Sequence, residues 1–189
     1  MTKTQPRHLP PPNGLPDGLH GLLTAGTSGE TGDAVYWMRR QNALLIETHG
    51  VKLLPDEVVF CERLARINPA VPLNNQIEWL PLGAKSKNGM RPSNDFIWFN
   101  RGGIQVELKS ISSISARKAI NRIWKAVNQA WRAHQFHKQN FMIDIGDQVL
   151  TDAVREALAS YNLTESGPSI DRVFVMWQQR IEEIHLHWA

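Results

Sequence analysis

The sequence predicts an α/β (α+β) fold with a mixed central β-sheet flanked by helices, and three observations carry that expectation. Segments with strand character alternate with segments of helical spacing along most of the chain. Two of the strand segments are separated only by the short turn NRGG, which makes them antiparallel neighbours. The chain closes on two more strand-like runs around QQR, a terminal hairpin.

In chain order, residues 1 to about 32 are dense in Pro and Gly and poor in apolar periodicity, the composition of a linker or loosely docked extension. Residues 33–189 then read as a single domain with its core at about 55–188. DAVYWMRRQNALLIETH has helical spacing, with Val35, Met38, Asn42 and Leu45 on one side, Asp33 placed to cap it and Gly50 to end it. A second helix is expected from Pro55 or Asp56 to Ile67, because Pro suits a first turn and Asp favours the positive end of the helix dipole. Three strand segments follow: QIEWLPL at 76–82, DFIWF at 95–99 and GIQVELKS at 103–110. In the last, Ile104, Val106 and Leu108 point one way and Gln105, Glu107 and Lys109 the other.

A long helix is expected from about Ser115 to Lys138. Ile120, Trp124, Val127 and Trp131 form its apolar stripe, with Lys118, Arg122, Lys125 and Arg132 beside it. FMIDIG at 141–146 is a short buried strand, and TDAVREALASYN is an amphipathic helix capped by Thr151. RVFVMW at 172–177 and IEEIHLHW at 181–188 make the terminal hairpin, with His185 and His187 on the polar face of its second strand.

A 42% hydrophobic content over 189 residues supports one ordinary core. No apolar run approaches the roughly 18 residues of a membrane-spanning helix, and the first thirty residues lack the apolar stretch of a secretory signal, so the expectation is a soluble protein. The single cysteine, Cys61, excludes an internal disulfide and a multi-thiolate zinc site. The net charge of +3 is small, but its distribution is uneven. Between Lys85 and Lys138 lie eleven Lys and Arg residues and only two acids, Asp95 and Glu107. A stretch that is basic except at two carboxylates suits a polyanion, with something specific set inside the surface.

Hydrolysis of a phosphodiester needs a hydroxide-like nucleophile, neutralised phosphoryl oxygens and help for the leaving oxygen, all of which a divalent metal can supply. Asp95 opens one expected strand, and Glu107 and Lys109 share a face of the next, so a hairpin can gather the three head groups. Two carboxylates brought together repel unless a cation intervenes, and a magnesium-like ion takes such oxygen ligands. Mg2+ or Mn2+ is therefore the expected cofactor. The bland alternative is a solvated Glu and Lys on an exposed sheet face, with Asp95 as a turn residue.

The stretch Arg91-Pro92-Ser93-Asn94-Asp95 followed by IQVELKS resembles the PD-(D/E)xK nuclease superfamily, with Asn94 in place of the proline before the acid. That resemblance implies a restriction-endonuclease-like core and a metal-dependent endonuclease. Asp95, Glu107 and Lys109 become its catalytic residues and the two acids its metal ligands. The superfamily often adds an acid from the preceding helix. Phe60, Cys61, Leu64 and Ile67 set the inward face by helical phase; Glu57 falls within that arc and Glu62 nearly opposite, so Glu57 is nominated as a further catalytic residue and metal ligand. The rival reading of Glu57 is a first-turn acid favoured by the dipole.

The helix after Glu-Leu-Lys carries Lys118, Arg122 and Lys125 at spacings that meet a phosphate backbone, the nucleic-acid-binding residues of this reading. Their bland alternative is the solvated side of an amphipathic helix. His134 and His137 suit a helix end, and Asp144 is either a supporting acid or a turn residue. Over residues 55 to 188 the element order resembles the C-terminal toxin domains of contact-dependent inhibition and related bacterial polymorphic toxins. That implies an RNase acting on tRNA or other RNA in the cytoplasm of a target cell after delivery, with a cognate immunity protein as partner. Two alternatives stand beside it: a DNA endonuclease of restriction, repair or DNase-toxin type, and a non-catalytic nucleic-acid or protein-binding module.

Overall fold

The computed structural model describes residues 34–188 apart from 46, 49, 81–84, 87, 88, 91 and 92. The expected Pro/Gly-rich extension and the Asp33 cap lie outside the described residues, as do Arg91 and Pro92 of the superfamily-like stretch. The chain divides into two compact units, the first ending at Asn75 and the second beginning at Gln76.

The first unit contains α1 (Ala34–Leu44) and α2 (Pro55–Ile67) and runs into the single turn α3 (Leu73–Gln76). Helix α1 stops short of the expected His49, and its expected face is displaced: Met38 and Asn42 are exposed, whereas Arg40 and Leu44 are buried. The reason lies on α2. Glu62 is buried and pairs with Arg40, whose Nε donates to Oε1 at 2.8 Å while Nη2 meets Oε2 and Nη1 donates to the Tyr36 hydroxyl at 2.7 Å. Helical phase on apolar residues alone misassigns Glu62 to the outside, because here the inward side of α2 includes a charged residue supplied with a counter-ion. Burial pushes the Glu62 carboxyl up, against the opposing pull of Arg40.

The second unit is built on a six-stranded mixed sheet in the order β1-β4-β5-β6-β7-β8. Its strands are β1 (Ile77–Trp79), β4 (Phe96–Trp98), β5 (Ile104–Ser110), β6 (Asn140–Asp144), β7 (Arg172–Trp177) and β8 (Arg180–Ile184), with a small separate hairpin of β2 (Lys85–Ser86) and β3 (Gly89–Met90). β1, β4 and β5 are successive antiparallel neighbours, β5, β6 and β7 are parallel, and β8 returns antiparallel. The expected α/β sheet is therefore present and mixed. The NRGG turn joins β4 to β5 as a hairpin, in which Gly102 and Gly103 take φ of 82° and 72°. Those values lie in the left-handed region that glycine reaches without steric cost.

The parallel strands need crossovers, supplied by α4 (Ala116–His134) between β5 and β6, and by α5 (Asp152–Ala159) with the short α6 (Tyr161–Thr164) between β6 and β7. Ser115 caps α4 by accepting from Lys118 N–H, and Thr151 caps α5 by accepting from Val154 N–H. Ala119, Ile123 and Val127 of α4 and Val154 and Leu158 of α5 enter one core with Phe141, Ile143, Val173 and Val175 of the sheet. The buried stripe of α4 is thus set by small and β-branched residues, whereas Ile120 and Trp124 flank it and Trp131 is exposed. Large aromatics would hold the helix off the sheet; Ala119 and Ala130 let it approach. Helix α4 also ends at His134, four residues early, because Gln135 turns into the left-handed region at φ 53°.

Opposed residues of a ladder project to one side. Glu107 and Lys109 register with Phe141 and Ile143, so they share the helix-covered face, while Phe96, Trp98, Val106, Leu108, Met142 and Phe174 line the other face and are all buried. Strand β8 ends at Ile184, which leaves His185 and His187 beyond it and exposed.

Candidate active site

Two adjacent strands position the candidate site. Asp95 precedes β4 and is stitched to both neighbours: its N–H donates to Val106 O at 2.9 Å and its carbonyl accepts from Leu80 N–H at 2.9 Å. Its Oδ2 accepts from Leu108 N–H at 2.7 Å, which pins the carboxylate against the strand that carries Glu107 and Lys109. Glu107 is 4% exposed. Its Oε1 accepts from Lys109 Nζ at 2.5 Å, and its Oε2 accepts from Lys138 Nζ.

The three residues expected to converge, Asp95, Glu107 and Lys109, are brought together. Burial and the neighbouring Glu107 charge push the Asp95 carboxyl up from 3.8 to about 6, against the opposing effects of the Leu108 N–H, Lys109 and Lys138. Two carboxylates and two ammonium groups make a compact cluster in which like charges crowd and opposite charges offset them.

Lys138 is the member that sequence reasoning missed. Assigned to the end of the long helix, it lies four residues beyond it, in the segment that leads to β6. Its ammonium donates to Glu107 and to Ser93 O at 2.8 Å, and the residue is 8% exposed. One available signal was its place just ahead of an apolar strand, where a lone lysine must find a partner if the segment is covered.

The other expected residues are placed as follows. Glu57 belongs to the first unit, where its Oε2 accepts from Leu54 N–H at 2.6 Å and closes the start of α2. Asp144 is buried, and its Oδ1 accepts from Gly146 N–H at 2.9 Å. His137 is exposed, with its ring 5.4 Å from that of Trp131. Among the described residues no group of three or more His, Cys, Asp or Glu side chains is placed to hold a metal ion.

Directly after Lys109 the chain enters a cleft of about 430 Å3 lined by Ser110, Ile111, Ser112, Ser113, Lys118, Asn121, Arg122 and Lys125. All three cations expected to meet phosphate line this cleft together with three serines and, among the described residues, no carboxylate. Ser110 Oγ is buried there without a hydrogen-bond partner.

No family model matches this chain, and neither a curated protein nor a solved structure matches it.

Proposed function

We propose that this chain is a metal-dependent phosphodiesterase that cleaves nucleic acid, with Asp95, Glu107 and Lys109 at its reacting centre and Lys118, Arg122 and Lys125 holding the substrate backbone. The observation that carries the reading is the convergence of Asp95 and Glu107 on neighbouring strands, with Asp95 raised to about 6. Such tension between paired acids is typical of groups kept for chemistry. The adjacent cationic cleft supports a polyanionic substrate.

The donor set fits a magnesium- or manganese-type ion: it offers carboxylate oxygens and no thiolate or imidazole, and such ions are commonly held by one or two carboxylates plus water and substrate phosphate. Asp95 and Glu107 would hold the ion, whose chemistry there is to polarise a phosphoryl oxygen and make bound water a stronger nucleophile. Lys109, partly exposed beside Glu107, places an ammonium where charge builds on the phosphoryl group. The cleft cations fix the strand so that one phosphate lies at the centre.

The test is incubation of purified protein with total tRNA, plasmid DNA and single-stranded DNA in magnesium, manganese or EDTA. Metal-dependent cleavage that Glu107→Gln abolishes is expected; no cleavage of any substrate overturns the proposal. Cleavage of tRNA alone selects RNA as the substrate, and cleavage of plasmid alone selects the DNA endonuclease reading of restriction, repair or DNase-toxin type. One observation favours a non-catalytic binding module: both Glu107 oxygens already accept from lysines, as in a purely structural charge cluster. On that reading Glu107→Gln binds nucleic acid as the parent does, and neither protein cleaves it.

A further inference from the structure

The two lysines on Glu107 differ in every respect that decides a role. The Lys109 side chain keeps 23% of its exposure and has Glu107 as its ion-pair partner. The Lys138 side chain keeps 9% and has two acceptors: Glu107 on β5, and the carbonyl of Ser93 in the segment that leads into β4, two residues ahead of Asp95. A buried ammonium with two fixed acceptors is costly to move, because leaving either one strands a charge away from water. The Lys109 ammonium, by contrast, has solvent beside it to take up when it leaves Glu107, and Glu107 then still keeps the Lys138 ammonium on its other oxygen.

We infer that Lys138 is a positioning residue of the site: it orients the Glu107 carboxylate and ties the segment that presents Asp95 to the strand that presents Glu107, which leaves Lys109 free to turn to the substrate. This assignment rests on the proposed nuclease site and adds to it a division of labour between two ammonium groups. It also gives α4 a second task. The helix carries the cleft cations on its exposed side, and its early end at Gln135 starts the stretch that brings Lys138 back over β5. Lys138→Met breaks both contacts and keeps the length and apolar stem of the side chain. Lys138→Arg keeps the charge and can donate to both acceptors.

The test begins without metal or substrate. In the metal-free full chain, 15N NMR is expected to show a slowly exchanging Lys138 ammonium signal that is lost in Glu107→Gln, while the Lys109 ammonium exchanges too fast to be seen. The second measurement is metal-dependent cleavage by Lys138→Met and Lys138→Arg, with thermal melts to establish that each is folded. Lys138→Met is expected to lower kcat about 10- to 100-fold, the usual consequence of losing a group that orients a ligand, with little change in KM, and Lys138→Arg to recover most of that loss. A fast-exchanging Lys138 signal, or a folded Lys138→Met with parental kcat, overturns the assignment. If the parent cleaves and these outcomes occur, only the role of Lys138 falls; if the parent cleaves nothing with any metal, the nuclease reading falls with it.

Discussion

Ionising Asp95 costs the fold free energy, because burial and Glu107 both oppose the charge that Leu108 N–H, Lys109 and Lys138 only partly stabilise. The folded-state pKa is raised, from 3.8 to about 6. Between those values the native protein keeps a proton that the unfolded chain has released, so this group's contribution to stability is present below about pH 4 and is lost as pH rises through about 6. The shift corresponds to roughly 2–3 kcal/mol. Asp95→Asn retains an oxygen for Leu108 N–H and removes the charge. It is expected to be about 1–2 kcal/mol more stable than the parent at pH 8, to lose that advantage near pH 4, and to be inactive; urea denaturation at the two pH values checks it, and equal stability at pH 8 would be the contrary result. In the first unit, Arg40→Ala leaves Glu62 buried without its counter-ion and is expected to cost roughly 3 kcal/mol at pH 8. The loss should shrink in acid as Glu62 takes up a proton, readable as converging melting temperatures.

At the scale of elements, the β4–β5 hairpin does most to assemble the site, and it was legible. NRGG between two runs of strand character predicted the pairing, and the pairing brings Asp95 to Glu107. A Cβ at Gly102 or Gly103 would meet nothing within 4 Å, so alanine there is penalised by backbone conformation alone. Each substitution is expected to cost about 1 kcal/mol, seen as a lower urea midpoint with an unchanged slope. Helix α4 was legible in existence but not in phase or length. Trp124 and Trp131 drew the expected stripe toward themselves, whereas packing on a sheet selected Ala119, Ile123, Val127 and Ala130. Its end carried no glycine or proline signal, since the left-handed residue is Gln135. That concealed end is why Lys138 read as one more helical cation. Glu62 was hidden for a related reason: periodicity counts apolar residues and cannot foresee a buried charge that brings its partner from another helix.

Across the whole molecule, a net charge of +3 conceals a segment from Lys85 to Lys138 with eleven basic residues and two acids. Binding to a polyanion through that segment releases counter-ions, so affinity should fall steeply with salt. Removing Lys118, Arg122 or Lys125 singly is expected to weaken binding to every sequence alike and to reduce the slope of log affinity against log salt by about 1 per charge. Fluorescence anisotropy with a labelled oligonucleotide over a salt series measures this, and an unchanged slope would remove that residue from the interface. The mixed sheet and its two hairpins, β4–β5 and β7–β8, followed from strand character and turns, whereas the place of β6 between β5 and β7 came only with the structure. The division of the chain at Asn75 was not drawn from the sequence, although the Pro/Asn-rich turn NPAVPLNN at 68–75 ends there, because a turn between two elements of one domain has the same composition.

The period of two along β5 has a last consequence. Glu107 and Lys109 stand on the face shared with Phe141 and Ile143, while Val106 and Leu108 stand on the apolar face with Met142. Deleting one residue from the turn at 99–103 and letting the strand slide would exchange the two sets at once, turning an acid and an ammonium into the apolar side and a valine and a leucine into the site. The protein is therefore far more vulnerable to a change in the length of this turn than to a change in its spelling. In a pooled library, single-codon deletions there should be lost as completely as stop codons, while most substitutions at Phe99 and Asn100 survive.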